Sequence, residues 1–251
     1  MVNLVNLTRL FLILVSLYGN EGSIQSENHA LRMNDYYEYC IVGAGPAGVQ
    51  LAQHFHSTDS SSYILLERGK KVGNFFEKFP IHDQLISINK KYTGSSNQEF
   101  NLRHDWNSLL TSLGVSKGTD FTFTDFSDDY FPHKKDFLDY IGNYTSHFNL
   151  NVAYQSNVHM VRRSDENSDF VLDLHHINEK HELSCATLIW ATGLGKPRSF
   201  ANELYTNYDE APVDPNFYKN KSVAIVGAGQ TAFELAKAIY RKSASTKMLY
   251  R

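Results

Sequence analysis

The stretch Tyr39-Cys40-Ile41-Val42-Gly43-Ala44-Gly45-Pro46-Ala47-Gly48 constrains this chain more than any other. An apolar run with strand character breaks into three glycines at G-x-G-x-x-G spacing, and Val49, Leu51, Ala52 and Phe55 then fall on one helical face. Strand, glycine turn and helix in that order are how a βα unit holds a dinucleotide pyrophosphate. Gly43 makes the tight turn, Gly45 lets the backbone approach the phosphates, and Gly48 lets helix and strand pack closely. Pro46 suits a first helical turn, where its missing N–H costs nothing. With Ala44 and Ala47 these residues form the expected cradle, its anion seated on unpaired N–H groups. A second apolar run, Tyr63-Ile64-Leu65-Leu66, ends in Glu67-Arg68, and Glu67 lies nineteen residues past Gly48. An acid at that distance accepts a hydrogen bond from a ribose 2′-hydroxyl, which an ordinary glycine turn would not require.

The pattern repeats near the C-terminus. Lys221 to Val226 read as a strand, Gly227-Ala228-Gly229-Gln230-Thr231-Ala232 as the turn, with Ala232 in place of the third glycine, and Phe233, Ala236, Ile239 and Tyr240 as a helical face. Leu249-Tyr250-Arg251 is expected to begin the next strand. Gly43 to Glu67 and Gly227 to Arg251 are both twenty-four residues. A carboxylate repels a 2′-phosphate whereas a guanidinium grips it through two N–H groups. The first site therefore favours FAD or NAD and the second NADP over NAD, the plain alternative for Arg251 being a solvated terminal residue.

Between the two motifs, Leu85-Ile86-Ser87-Ile88 alternates as a short strand would. Phe100 to Trp106 fits neither period, and reads as a cleft lining or as a solvated loop anchored by Trp106. Phe131-Pro132-His133 opens a helix whose stripe of Phe137, Leu138, Ile141, Tyr144 and Phe148 is core. Asn157 to Arg162, Phe170 to Leu174 and Glu182 to Cys185 form a meander. His175, His176 and His181, lacking acids or cysteines at ligand spacing, read as surface histidines, so no metal site is expected. Thr187 to Trp190 is a further strand running into Ala191-Thr192-Gly193, small residues that let the backbone approach the nucleotide held at Gly43. Cys40 and Cys185 sit in apolar runs as buried thiols or a single disulfide, and no CxxC supports a dithiol relay.

With 251 residues the chain holds one large domain or two small ones, and its net charge of -3 gives no electrostatic reason to expect nucleic acid as a partner. Arg9, the apolar run Leu10 to Tyr18 and the small residues from Gly19 read as a secretory signal over residues 1–22, or as an uncleaved anchor. The run is too short to span a bilayer, so no membrane span is expected once a signal is cleaved. Asn143-Tyr144-Thr145 and Asn220-Lys221-Ser222 are glycosylation sequons.

Two nucleotide motifs joined by a meander and an Ala-Thr-Gly turn resemble the flavoproteins with two dinucleotide-binding domains. Within that group the chain is similar to the flavin-containing monooxygenase superfamily, and Leu85 to Gly94 with Glu99 to Leu110 resemble a branch of it working in the endoplasmic reticulum lumen. The resemblance implies an α/β fold: a Rossmann-like FAD domain with a β-meander crossover over 36–215, and the start of a second Rossmann-like, NADP-binding domain over 216–251. It implies FAD on Gly43, Gly45, Gly48 and Glu67, with Arg68 adjacent, Val158 at the adenine and Ala191, Thr192 and Gly193 close by. NADPH would lie across Gly227 to Ala232 with Arg251 at its 2′-phosphate. The implied function is an NADPH-using, FAD-dependent oxidoreductase of the lumen, with misfolded glycoproteins and the degradation machinery as partners. A flavin-holding adaptor, an inactive fragment and a flavin monooxygenase are the alternatives. His104 and Asp105 are the candidate polar groups facing the flavin; bracing their loop is the other role open to them. Two departures weigh against small-molecule oxygenation: Tyr92-Thr93-Gly94-Ser95 stands where the superfamily carries Thr-Asn-Ser, and its FxGxxxHxxx(F/Y) signature is missing between Gly193 and Lys221. With only two strands and a helix after Lys221, the chain is expected to be an N-terminal fragment of a longer protein.

Overall fold

The structure is a computed structural model and describes residues 31, 35–58, 62–111, 121–195 and 205–250. The signal segment 1–22 and Arg251 lie outside the described residues. Strand β1 (Asp35–Val42) lies inside the main sheet, and helix α1 (Pro46–Ser57) carries the chain over to β2 (Tyr63–Leu66). The two strands are parallel, with Tyr39 opposite Tyr63 and Val42 opposite Leu66. Every residue of β2 is buried, as expected of a parallel strand covered on both faces. Short helices α2 (Asn74–Lys78) and α3 (Gln98–Leu102) and the long helix α4 (Lys134–His147) follow, then β3 (Val152–Ala153), β4 (Ser156–Arg163), β5 (Phe170–His176) and β6 (Glu179–Trp190). The six strands form one sheet in the order β3-β2-β1-β6-β5-β4.

The two faces of β1 feed two cores. Ile41 and Leu65 pack with Val49 and Ala52 of α1 and with Phe137, Tyr140, Ile141 and Tyr144 of α4. Cys40, Val42, Ile64 and Leu66 pack with Leu172, Leu174, Leu183 and Cys185 of the meander. Tyr140 lies between the stripe positions read from the sequence, and its ring is fully buried while its hydroxyl accepts the Leu109 N–H at 2.7 Å. Both cysteines are free and fully buried. A second, parallel sheet of two strands, β7 (Ser222–Val226) and β8 (Ser245–Leu249), carries helix α5 (Gln230–Ile239). Among the described residues no helix is long and apolar enough to cross a membrane.

Several local expectations are corrected. Leu85 to Ile88 is no strand: only single bridges flank it, Gln84 with His133 and Asn89 with Asp105, because the neighbouring segments are loops. Residues 98–102 form a helical turn capped by Asn97, whose side chain accepts the Phe100 N–H at 2.9 Å. Trp106 is 64% exposed, with its indole N–H donating to the Arg103 carbonyl at 3.1 Å. Glu182 to Cys185 and Thr187 to Trp190 are one twelve-residue strand, β6, which pairs antiparallel with β5 through Cys185 and parallel with β1 from Leu183 onward. His176 is buried, its Nδ1 within 2.8 Å of the Ser156 hydroxyl. Strand β8 ends at Leu249 rather than beginning there; its polar Ser245, Thr246 and Lys247 hide it from a hydrophobicity pattern.

Candidate dinucleotide site

The first glycine turn forms where β1 ends, between β2 and β6. Gly43 has φ +107, and its N–H donates to the Leu66 carbonyl at 2.8 Å. A Cβ there would sit 2.6 Å from the Ala191 oxygen, and one on Gly48 would sit 2.0 Å from the Gly43 oxygen. Only hydrogen fits at either position. Around Gly45 the reverse holds: a Cβ would meet nothing within 4 Å, so the outer side of the turn is open. Gly45 caps α1 without a side-chain hydrogen bond and Pro46 follows, which leaves the N–H groups of the first turn aimed at that open side. The strand ends close the cradle from below. Ala191 donates its N–H to the Val42 carbonyl at 2.9 Å, and Gly193 has φ +64. Gly43 to Gly48 and Ala191 to Gly193 are thus brought together at the edge where connections leave the sheet on opposite sides.

Glu67 is 5% exposed and spans the turn. Its Oε2 accepts the Ala44 N–H at 2.9 Å and its Oε1 the Gly69 N–H at 2.7 Å. The carboxylate therefore has a structural role that the sequence did not reveal, with lone pairs left over for a ribose hydroxyl. The start of β4 wraps against the same turn, Ser156 donating to the Glu67 carbonyl at 2.8 Å and Gln155 to that of Gly69 at 2.9 Å. Val158 follows two residues on, where the pairing with β5 shifts register, and Arg68 is exposed.

Beside the N-terminus of α1 lies a cavity of about 330 Å³ lined by Pro46, Gln50, Phe76, Leu85, Ser87, Trp106, Asn107, Ser108, Leu109 and Phe137. Its polar wall is Ser87, Asn107 and Ser108, and the Ser87 hydroxyl donates to Asn107 Oδ1. Asp105, 7% exposed, lies behind that wall and accepts the Asn107 N–H at 3.1 Å, the Ser108 N–H at 3.0 Å and the Ser108 hydroxyl. Asp105 thus braces the loop. His104 bonds the Phe100 carbonyl of its own helical turn at 2.9 Å and is not part of the cavity wall. Tyr92 to Ser95 do not line it either, and Tyr92 is 76% exposed. The sequence reading missed Ser87, Asn107 and Ser108 as cavity residues. The available signal was Asp105-Trp106-Asn107-Ser108, an acid whose side chain turns back on the two amides that follow.

The second turn repeats the first, more openly. Gly227 has φ +127 and donates to the Leu249 carbonyl at 2.8 Å, Gly229 caps α5, and Ala232 bonds back to the Gly229 carbonyl at 3.1 Å. A Cβ on Gly227 or Gly229 would meet nothing within 4 Å. Gly43 bonds Leu66 as Gly227 bonds Leu249, so the residue equivalent to Glu67 is Tyr250, which is 78% exposed. Counting twenty-four residues from each turn misaligned the pair by one, because the first βαβ connection is one residue longer. At the acid's position the second cradle therefore presents a neutral phenol, one residue before Arg251. No cluster of three or more potential metal ligands occurs among the described residues.

Residues 40–251 match the pyridine nucleotide-disulphide oxidoreductase family. FAD-dependent oxidoreductase domain-containing protein 2 of Danio rerio is 38% identical over 234 residues, 91% of this chain and 31% of the relative. The protein of the same name from Mus musculus is 36% identical over 221 residues, 85% of this chain and 32% of that relative. The chain thus spans about a third of the length of these relatives. Among solved structures, a flavin-containing monooxygenase from Stenotrophomonas maltophilia superposes with a TM-score of 0.62 at 18% identity, covering 86% of this chain and 58% of the other, a likeness of fold.

Proposed function

The chain belongs to the pyridine nucleotide-disulphide oxidoreductase family, and from that premise we propose that it is the nucleotide-holding part of an NADPH-using flavin oxidoreductase, with FAD on the first cradle and NADPH on the second. The observation that carries this is the Gly43 turn, closed against Ala191 on one side and open at Gly45 on the other, with the uncapped start of α1 behind it. These residues fit a pyrophosphate: two positions tolerate no side chain, and the space outside the third is free. Bound there, a flavin would supply hydride acceptance from the nicotinamide. The protein's own part is to hold and orient. Amides of the α1 turn neutralise phosphate charge, Glu67 keeps the turn in shape and offers an acceptor to the ribose, and the cavity beside Pro46 gives a flat ring apolar walls at Phe76 and Leu85, an acceptor at the Ser87 oxygen and a donor at the Asn107 amide. Cys40 and Cys185 are free, neighbouring thiols with no exposed surface. We take the site of action to be the endoplasmic reticulum lumen and the clients to be misfolded glycoproteins. The signal-like segment 1–22, the two sequons and the likeness to FAD-dependent oxidoreductase domain-containing protein 2 support this.

The test is the purified full-length protein. It should be yellow, and its flavin band should bleach when NADPH is added without air. Colourless protein that takes up no FAD on titration would overturn the proposal, and yellow protein that ignores NADPH would remove its second half.

A further inference from the structure

Helix α5 does more than back its own strands. Its apolar side, with Leu235, Ala236 and Ile239, packs on Tyr218, Ile225 and Met248. Glu234 and Lys237, three residues apart and so on one face, turn instead to the segment 78–84 that precedes the cavity wall. Glu234 Oε1 accepts the His82 N–H at 3.1 Å, and Oε2 accepts the Tyr208 hydroxyl at 3.1 Å. That hydroxyl accepts the Ile81 N–H at 3.2 Å, and Lys237 donates to Gln84 Oε1 at 3.4 Å. Phe79 stacks on Tyr208 with centroids 5.8 Å apart, and Lys78 pairs with Asp209 at 3.2 Å.

The same segment is held from its other side by α4. Lys134 donates to the carbonyls of Glu77, Lys78 and Pro80 and pairs with Asp83 at 3.0 Å. The Leu85 N–H bonds the Pro132 carbonyl at 2.8 Å. Phe76 and Leu85, which flank the segment, both line the cavity beside Pro46. One short, multiply pinned piece of chain therefore touches the helix of the second cradle at its middle and the wall of the cavity at its ends.

We propose that Glu234 is a positioning residue that ties the second cradle to this wall, so that a dinucleotide seated on the N-terminus of α5 is registered at Ile81 and His82 and passed to Leu85 and Phe76. This rests on taking Gly227 to Ala232 as a dinucleotide cradle. The physical basis is short. Glu234 sits one turn from the end that would receive the pyrophosphate, and a ten-residue helix with a packed apolar face moves as a unit. Any change in its seating acts first on the two hydrogen bonds of Glu234.

The experiment uses the full-length protein, NADP⁺ as the probe, and the variants Glu234→Ala and Glu234→Gln. Calorimetry reads occupancy of the second cradle alone, and amide hydrogen exchange reads Ile81 and His82 with and without NADP⁺. In the wild type, NADP⁺ should slow exchange at both amides by about 10-fold. In Glu234→Ala that slowing should vanish while the affinity for NADP⁺ changes less than about 3-fold. Glu234→Gln keeps an oxygen for the His82 N–H and should restore the effect. Where flavin is present, the NADP⁺ difference spectrum should follow the same order. The proposal is overturned if Glu234→Ala retains the slowing, or if NADP⁺ binds the wild type without changing exchange. Folded wild type that gives no calorimetric signal takes down the cradle together with the proposal, and calorimetry tells that case from the other two.

Discussion

Replacing Gly48 by Ala and Gly45 by Ala should separate the structural from the ligand-binding role of the first turn. In a helix, Gly→Ala ordinarily stabilises by about 1 kcal/mol. At Gly48 the new Cβ would lie 2.0 Å from the Gly43 carbonyl oxygen and 3.3 Å from Leu65 Cδ1. The first of these is a backbone atom and cannot rotate away, so α1 must lift off the strand. Overpacking costs about 1–3 kcal/mol, and a backbone clash belongs at the upper end. The net loss should be about 2 kcal/mol, which for a chain of this size lowers Tm by about 4–8 °C. At Gly45 the Cβ meets nothing within 4 Å and φ is -76, open to any residue, so apo stability should stay within about 0.5 kcal/mol of wild type. The same methyl nevertheless points into the space assigned to the phosphates, and FAD affinity should fall by at least about 10-fold. Thermal melts of apo protein and flavin titrations read the two effects independently. Gly45→Ala binding FAD like the wild type, or Gly48→Ala melting with it, would refute the geometry on which the site rests.

The bracing role of Asp105 gives a second expectation: Asp105→Ala leaves the buried Asn107 amide and its neighbour at Ser108 without their acceptor, and should lower stability by about 2–4 kcal/mol in denaturant titrations. His104→Ala, by contrast, should leave the absorption spectrum of bound flavin unchanged, whereas Asn107→Ala should shift it; the opposite pattern would return His104 to the ring site. Burial holds the His82 imidazole below its ordinary pKa of 6.5, with Glu234 and Asp83 only partly offsetting it, and its Nε2 is buried without a hydrogen-bond partner. Because the unfolded chain takes up that proton more readily than the folded one, the contribution of His82 is intact above pH 6.5 and declines as pH falls below it. Tm measured between about pH 7 and about pH 5 should accordingly fall less in His82→Asn than in the wild type, and parallel curves would show that His82 does not couple the junction to protons.

Local order along the chain was written in local sequence. The glycine turns, the face of α1 and the meander are short-range patterns, since steric demands at Gly43 and the 3.6-residue period of a helix act within a few residues whatever surrounds them; on α5 only Ala236 and Ile239 of the expected face pack inward, while Phe233 and Tyr240 are exposed and Leu235 takes their place. The α/β class and both strand–glycine-turn–helix units were therefore legible before any coordinates. What the tertiary structure decided was every feature in which distant segments share one atom pair. Glu67 is turned back onto Ala44 and Gly69; β6 runs unbroken because β5 and β1 pair with its two halves; Tyr250 stands where a residue count had put Arg251; Ser87, Asn107 and Ser108 form a wall only because the loop around Asp105 folds onto α1 and α4; and Glu234 meets His82 across 152 positions. Hydrogen bonds of this kind are set by the three-dimensional register of packed strands and loops, and a one-residue difference in a connecting helix or turn is enough to move them without leaving a mark on the hydrophobic pattern.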